Sequence, residues 1–499
     1  MKAVKLTLLF ILIATIANAQ APTIEWEKCF GGSGHDYGRD IIQTSDHGYI
    51  IAGRTASNDY DAVGNHSVSG GYADAFVVKL SATYTTEWIK CVGGSKSESA
   101  ACVIETSDHG FIFVGSTMSN DGDVSGNHED DESFFSRSDG WVFKLDSSGE
   151  IVWQKCYGGT ADDYLNTIIP MDDGGYICIG NSSSNNGDVV NPEEVNKGWL
   201  LKIDSVGNII WSQVYGDSIK TSFRDIIPTR DGGYFITGEK TLGGFNVGNA
   251  WFLKINEVGT IEWELDYGNI QDILFDAIQL SDGNYIAVGK TVDTLAYCDI
   301  GLILKISESG VLEWVQQGTN HKGRYTTVEV VSDNCFIVGG YSENVANNSL
   351  DFLLIKMSNS GNVIWEQYYG GTGTEHLISF EQTADQGFIL TGETSSNWTN
   401  YHGIYDMWVV KLSPETGIVE LDPILQFQVY PNPTQNILNI QIDPALLDTP
   451  YKIYSTTGQL VHFGSLTAET MQLNLESFTE GIYILQIGNQ TQKIVKVGR

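Results

Sequence analysis

Seven copies of one phrase, each opened by a tryptophan and each holding four strand-length runs, predict an all-β fold: a seven-bladed β-propeller followed by a small β-sandwich. Tryptophans at 26, 88, 153, 211, 263, 314 and 365 begin near-identical phrases spaced 62, 65, 58, 52, 51 and 51 residues apart. Each copy divides into short apolar or alternating runs separated by Gly and Asp turns, most clearly over 151–159, 167–180 and 198–207. The composition agrees, because 55 glycines against 10 prolines favour many tight turns. A lone four-stranded sheet cannot bury both faces, whereas seven stacked in a ring can.

In the first copy the strands fall at 41–44 (A), 49–53 (B), 75–80 (C) and 87–92 (D). The chain begins with a D strand at 23–30 that has no A, B or C before it, and the last copy ends on a C strand at 408–412. The N-terminal strand is therefore expected to complete the last blade and close the ring non-covalently.

The repeated residues read as architecture. Asp46, Asp108, Asp173, Asp231, Asp282, Asp333 and Asp385 stand in the A–B turns, where an Asp side chain bonds the backbone and Gly supplies positive φ. Lys79, Lys144, Lys202, Lys254, Lys305, Lys356 and Lys411 recur inside C strands, which predicts a stem packed along the sheet with its head at a carbonyl or carboxylate. Seven cysteines form no CxxC pair. Cys29, Cys91 and Cys156 share a slot with Val214, so that slot is a small apolar position rather than a redox or zinc site.

Charge narrows the partners. With 28 Lys+Arg against 62 Asp+Glu the chain carries −34, a field that repels nucleic acid. Lys2 and Lys5, an apolar run from Leu6 to Ile16, and Ala17-Asn18-Ala19 before Gln20 have the form of a secretory signal over 1–19. That run is shorter than the ~20 residues of a spanning helix, and no transmembrane segment is expected later.

Function is sought where the symmetry breaks. From the B-strand Gly to the C-strand Lys the blades measure 26, 29, 22, 16, 16, 17 and 19 residues, so the B–C loops of blades one to three are long. They share a phrase, Ser57-Asn58-Asp59-Tyr60-Asp61, Ser119-Asn120-Asp121-Gly122-Asp123 and Ser184-Asn185-Asn186-Gly187-Asp188, and hold 11 acids within 54–73, 116–138 and 181–196. Alternating oxygens from Asp59, Asp61, Asp121, Asp123, Asn186 and Asp188 have the chemistry to wrap Ca²⁺, although no loop has the full EF-hand spacing; solvated loops held by Asx-turns are the alternative. Of seven arginines, Arg39, Arg224 and Arg324 fall early in the innermost strands and could clamp a carboxylate. Among the loop-face histidines 35, 66, 128, 321, 376 and 402, His35 and His376 join these arginines as ligand-binding candidates. No HExxH, GxSxG or phosphate loop is present, and no catalytic residue is assigned.

The phrases Asp74 to Leu80, with Lys79, and the recurrent Gly-Gly look like the seven-bladed repeats common in secreted bacterial proteins, over residues 23 to about 421. Thr44 to Gly48 resembles the architectural Asp-box of sialidase-like propellers. Beyond Leu412 the punctuation changes to short alternating runs that predict the sandwich. That segment resembles the type A C-terminal sorting domain of the Bacteroidota type IX secretion system: Pro431-Asn432-Pro433, Gly458-Gln459, Gly481-Ile482-Tyr483 and the Lys493/Lys496 pair carry the match. The resemblance implies export to the periplasm, passage through an outer-membrane translocon that reads this domain, and its removal by surface processing machinery. The expected organisation is a signal peptide at 1–19, a propeller at 20–421, a linker at 422–427 and a sorting sandwich at 428–499. The expected function is non-enzymatic: a secreted or surface-displayed monomer that binds an extracellular glycan or protein through its B–C and D–A loop face, chiefly in blades one to three. A polysaccharide hydrolase or lyase would instead need carboxylates converging near the channel. A purely structural or adhesive surface component would need no saturable site.

Overall fold

A computed structural model describes residues 20–67, 71–128, 137–191, 195–216, 220–241, 248–268, 271–293, 298–318, 322–331, 335–398, 400–416, 427–442, 446–447, 449–455, 460–468, 470–487 and 490–497. The leader, most of the expected linker, Asp333, His321 and Gly458 lie outside the described residues. The chain divides into two compact units, Met1–Gly417 and Ile418–Arg499.

The first unit is built from four-stranded antiparallel sheets, seven among the described residues. Sheet 1 pairs Asp36–Gln43, Tyr49–Thr55, Asp74–Leu80 and Thr86–Val92 in sequence order, A to D. Sheets 2 to 6 repeat this order over 98–157, 163–215, 220–267, 273–317 and 323–369. Sheet 7 takes A, B and C from 375–412, and its D strand is Ile24–Phe30, antiparallel to Asp406–Leu412. Each sheet packs on the next and sheet 7 packs on sheet 1, so the ring closes through the N-terminal strand.

The A strands start earlier than the apolar alternation predicts, at Asp36 instead of 41 in sheet 1. The cause is a β-bulge in every A strand at one equivalent place. The extra residue, Arg39 in sheet 1, shifts the two-residue period and hides the strand's first half from a pattern search.

Apolar side chains from the B and C strands fill the space between sheets. Trp141, Trp199, Trp251 and Trp408 are fully buried there, and Phe113 stacks on Phe143 at 4.8 Å between ring centres. Burying each such side chain contributes about 1.5–3 kcal/mol. The phrase-opening tryptophans work at the rim. Trp88, Trp153, Trp211, Trp263 and Trp314 lie against the C–D turn glycines 149, 207, 259, 310 and 361 of the next sheet, where an added Cβ would meet the indole at 2.8–3.8 Å.

The repeated lysines take structural places. Lys79 reaches Asp46 at 3.0 Å, Lys202 Asp173 at 2.8 Å, Lys254 Asp231 at 2.8 Å and Lys411 Asp385 at 2.9 Å, so each ties its C strand to the A–B turn of the same sheet. In sheet 6, Lys356 meets Glu415 at 2.9 Å. The cysteines are free thiols, with Cys29, Cys178 and Cys335 inside the apolar core.

The second unit is a sandwich of a three-stranded sheet and a four-stranded sheet around Leu438, Ile440, Ile453, Leu485 and Ile494. Asn432 staples its two ends, donating to Lys493 C=O at 2.6 Å and accepting from Val495 N–H at 2.8 Å. Tyr483 is buried with its hydroxyl on Thr479 C=O at 2.9 Å, and Lys496 is buried while Lys493 is exposed. Pro431 and Pro433 flank Asn432, and Gly481 opens the strand that carries Tyr483.

Candidate functional site

The long loops of sheets 1 to 3 fold back onto the D–A turn that precedes each sheet. In sheet 1, Ser57 Oγ accepts Gly34 N–H at 2.8 Å and donates to the buried Asp36, while Asp59 accepts Ser33 N–H at 2.8 Å. Sheet 2 repeats this with Ser119 on Lys96 N–H and Asp121 on Ser95 N–H, and sheet 3 with Ser184 on Ala161 N–H and Asn186 on Thr160 N–H. Asp123 and Asp188 accept Gly93 and Gly158 N–H at 3.2 and 3.3 Å. Of the six residues expected to wrap calcium, five thus hold a turn, and Asp61 Oδ2 is buried without a hydrogen-bond partner. Among the described residues, no group of three or more His, Cys, Asp or Glu is placed to hold a metal ion. The shared phrase is explained by turn architecture.

The histidines that close two of these phrases link neighbouring sheets. His66 Nδ1 lies 2.7 Å from the buried Asp74 and its Nε2 3.8 Å from Asp123 of the next sheet; His128 stands likewise between Asp139 at 2.7 Å and Asp188 at 4.0 Å. Burial opposes the charge on His66, but its bond to Asp74 and the surrounding carboxylates outweigh burial and raise its pKa. Burial lifts Asp74 and Asp139 to about 6 despite these histidines.

Diversity of chemistry lies at the channel mouth. The bulged residues of sheets 1 to 7 are Arg39, Ala101, Asn166, Arg224, Phe275, Thr326 and Ile378. One step toward the loops, cross-strand pairs join Tyr37 to Arg54, Ser99 to Ser116, Tyr164 to Asn181, Ser222 to Glu239, Ile273 to Lys290, Arg324 to Tyr341 and His376 to Glu393. The charged members belong to sheets 4 to 7 and sheet 1, away from the acidic loops of sheets 2 and 3.

The three arginines do not form one clamp. Arg324 occupies the place of Tyr37 and His376, two residues before the bulge, and is held by Asp299 at 2.6 and 2.7 Å. Arg224 is paired with Glu239 at 2.8 Å. Arg39 has no ion-pair partner among the described residues. It touches the channel solvent while enclosed by protein, and this burial, together with the neighbouring Arg54, lowers its pKa. Arg54 lies over the Tyr37 ring at 5.3 Å and also lacks an ion pair among the described residues. An open pocket of about 270 Å³ is lined by Tyr37, Gly38, Arg39, Arg54, Ile378 and Glu393. Within this cluster the Arg54 Nε and Glu393 Oε2 atoms are buried without a hydrogen-bond partner.

Aromatic rings border this pocket's sheets. His376 bonds Glu393 through Nδ1, and Tyr341 packs on its ring at 4.2 Å. Tyr37 bonds His35 at 3.0 Å, and His35 lies against Tyr405 at 5.7 Å. Tyr60, 62% exposed, stacks on His402 at 4.0 Å with 27° between the rings. Tyr60 holds φ +51°, a backbone state that costs a non-glycine residue roughly 1–2 kcal/mol.

The channel wall also carries carboxylates. Asp40 accepts Ile41 and Val103 N–H at 2.9 Å each, and Asp276 repeats this with Ala277 and Val328 N–H at 2.7 Å. Asp225 Oδ2 is buried without a hydrogen-bond partner, and burial, with the Asp276 carboxyl close by, holds its pKa well above the usual range. Asp225 and Asp276 stand on the A strands of adjacent sheets.

Sequence reasoning passed over Arg54, Tyr341 and Glu393. Their signal was present: the residue after each B-strand glycine is Arg54, Ser116, Asn181, Glu239, Lys290, Tyr341 and Glu393, seven different side chains in an otherwise uniform phrase.

Fold and tail together define a class: a β-propeller protein with a type IX sorting tail, addressed to the cell surface or extracellular space. Residues 428–497 match the family model described as "Secretion system C-terminal sorting domain". No helix among the described residues is long and apolar enough to cross a membrane. Over 125 residues the chain is 22% identical to beta-agarase A of Zobellia galactanivorans, a match spanning 23% of each protein. Among solved structures it resembles PorZ, an essential bacterial surface component of the type-IX secretion system of Porphyromonas gingivalis, at 12% identity and TM-score 0.43, over 94% of this chain and 60% of PorZ. The propeller domain of the Trilobed protease of Pyrococcus furiosus matches at 10% identity and TM-score 0.39, over 82% of this chain and 98% of that domain.

Proposed function

We propose that the ring is a non-catalytic binding module for an extracellular glycan, and that the ligand sits at the channel mouth between sheets 7 and 1. One observation carries this reading: Tyr60 of the sheet 1 B–C loop, exposed and held at positive φ, stacks on His402 of the sheet 7 B–C loop, so the loops of the two sheets that line the pocket meet through an aromatic pair. Backbone strain that presents a flat ring to solvent is the arrangement that sugar faces stack upon. The tail supports placement where such glycans occur, at the surface or beyond it.

The test is retention of the full chain on an immobilised glycan panel. Wild-type protein is expected to retain a subset of glycans, and Tyr60→Ala to weaken that retention at least tenfold with an unchanged thermal transition. Absence of retention on every glycan, or full retention by Tyr60→Ala, would overturn the reading.

A further inference from the structure

We infer that the channel mouth is an acidic-sugar site, in which Arg39 and Arg54 bind a carboxylate on the sugar and Glu393 accepts one of its hydroxyls. This deepens the glycan-binding reading and rests on it.

Two guanidinium groups line one pocket, and neither has an ion pair among the described residues, whereas Arg224 and Arg324 each have a carboxylate at 2.6–2.8 Å. Like charges held side by side are favourable only when an anion joins them, and the planar fork of Arg suits a carboxylate in a bidentate contact. Arg54 Nε is a buried donor with no acceptor, and leaving it unmade is costly.

The opposite wall supplies the reverse need. Glu393 Oε1 is taken by His376, while Oε2 is a buried acceptor with no donor. A simple inorganic anion satisfies the arginines and leaves Glu393 unanswered. A molecule with one carboxylate and neighbouring hydroxyls answers both. Ile378 and the Tyr37 ring add the apolar contact that the carbon face of a sugar ring offers. The volume, about 270 Å³, sits near the small end of ligand pockets, which run from roughly 300 Å³, and matches a single sugar unit.

Charge fixes the valence. The pocket carries two arginines against one glutamate, and the whole chain carries −34, so a singly charged unit is admitted while a polyphosphate is repelled. None of these atoms belongs to the acidic loops of sheets 1 to 3, and the B-strand positions of Arg54 and Glu393 hold neutral Ser116 and Asn181 in sheets 2 and 3.

Calorimetry of the full chain with D-galacturonate, D-galactose and galactose 6-sulfate tests the inference. Galacturonate is expected to bind at least tenfold more tightly than either other sugar. Arg39→Gln and Arg54→Gln should each cost tenfold or more for galacturonate, with thermal transitions unchanged and with binding that weakens as salt rises. Equal affinity for galactose, equal affinity for the 6-sulfate, or full galacturonate binding by Arg39→Gln would each overturn it. Glycan retention on the panel with no preference for galacturonate sinks this inference alone, whereas loss of all panel retention sinks the binding reading itself.

Discussion

Tyr84 and His47 occupy the same backbone state for different reasons. Tyr84, at φ +61°, takes the C–D turn place that is glycine at 149, 207, 259, 310 and 361, and its ring stacks on Trp26 at 5.2 Å and Tyr49 at 5.9 Å. His47, at φ +64°, takes an A–B turn place that is glycine at 174, 232 and 283, and is exposed. Left-handed backbone costs about 1–2 kcal/mol without glycine, against the extra chain entropy glycine brings. His47→Gly is therefore expected to stabilise the protein by about 0.5–1 kcal/mol. Tyr84→Gly removes the strain together with a half-buried aromatic contact and should destabilise by about 1–2 kcal/mol, since burial and stacking exceed the strain. Urea unfolding of the two variants reads both signs, and a stabilised Tyr84→Gly would show that the Trp26 stack holds nothing.

Elements are joined by small polar devices that repeat with the sheets. The turn phrase of sheets 1 to 3 satisfies D–A backbone N–H groups, and the histidines that follow bridge sheet to sheet. His66→Ala leaves Asp74 fully buried without its imidazole partner, a loss of about 1–3 kcal/mol. The cost should appear as a lower urea midpoint, and an unchanged midpoint would make the bridge ornamental. Strand identity at this scale was legible wherever alternation was unbroken, as in Tyr49–Thr55 and Asp74–Leu80. The first half of each A strand was not, because the bulge at Arg39 and its equivalents breaks the two-residue period. That same bulge faces Arg39 toward the channel, so the feature that hid the strand also built the site.

For the whole molecule, proton binding gives a distinctive stability profile. Burial holds Asp74 and Asp139 at about 6 and Asp406 at about 7, above the ~3.9 of an unfolded aspartate, so the folded chain binds these protons more tightly. Stability therefore rises as pH falls from 8 toward 5, and His66, whose pKa is also raised, adds in the same direction. At Asp46 and Asp231 burial pulls upward, but turn donors and a strand C lysine outweigh it; at Asp108 the bond to Lys144 leads; all three are held at about 2. Their contribution is present above the unfolded value and lost as pH falls through 2. The thermal transition should thus be highest near pH 4–5 and fall on both sides; a maximum at pH 8 would contradict these environments. Removing 428–499 should leave the ring in the periplasm, read by cell fractionation, whereas unchanged surface delivery would refute the tail's role. The ring, its closure by Ile24–Phe30 and the sorting tail were legible because each rests on a repeated or specific phrase. The site was only partly legible. Arg39 and His376 were singled out, but pairing decides which arginine is free, and strand order alone does not tell that Asp299 and Glu239 reach Arg324 and Arg224 while no carboxylate among the described residues reaches Arg39.

Hydrogen–deuterium exchange on the full chain, with and without a glycan that it retains, locates the ligand directly. Added protection is predicted at 36–43, 49–55 and 375–394, around the mouth between sheets 7 and 1. Protection confined to 119–128 and 184–191, the acidic loops of sheets 2 and 3, or protection nowhere in the ring, would contradict a binding site at the channel mouth.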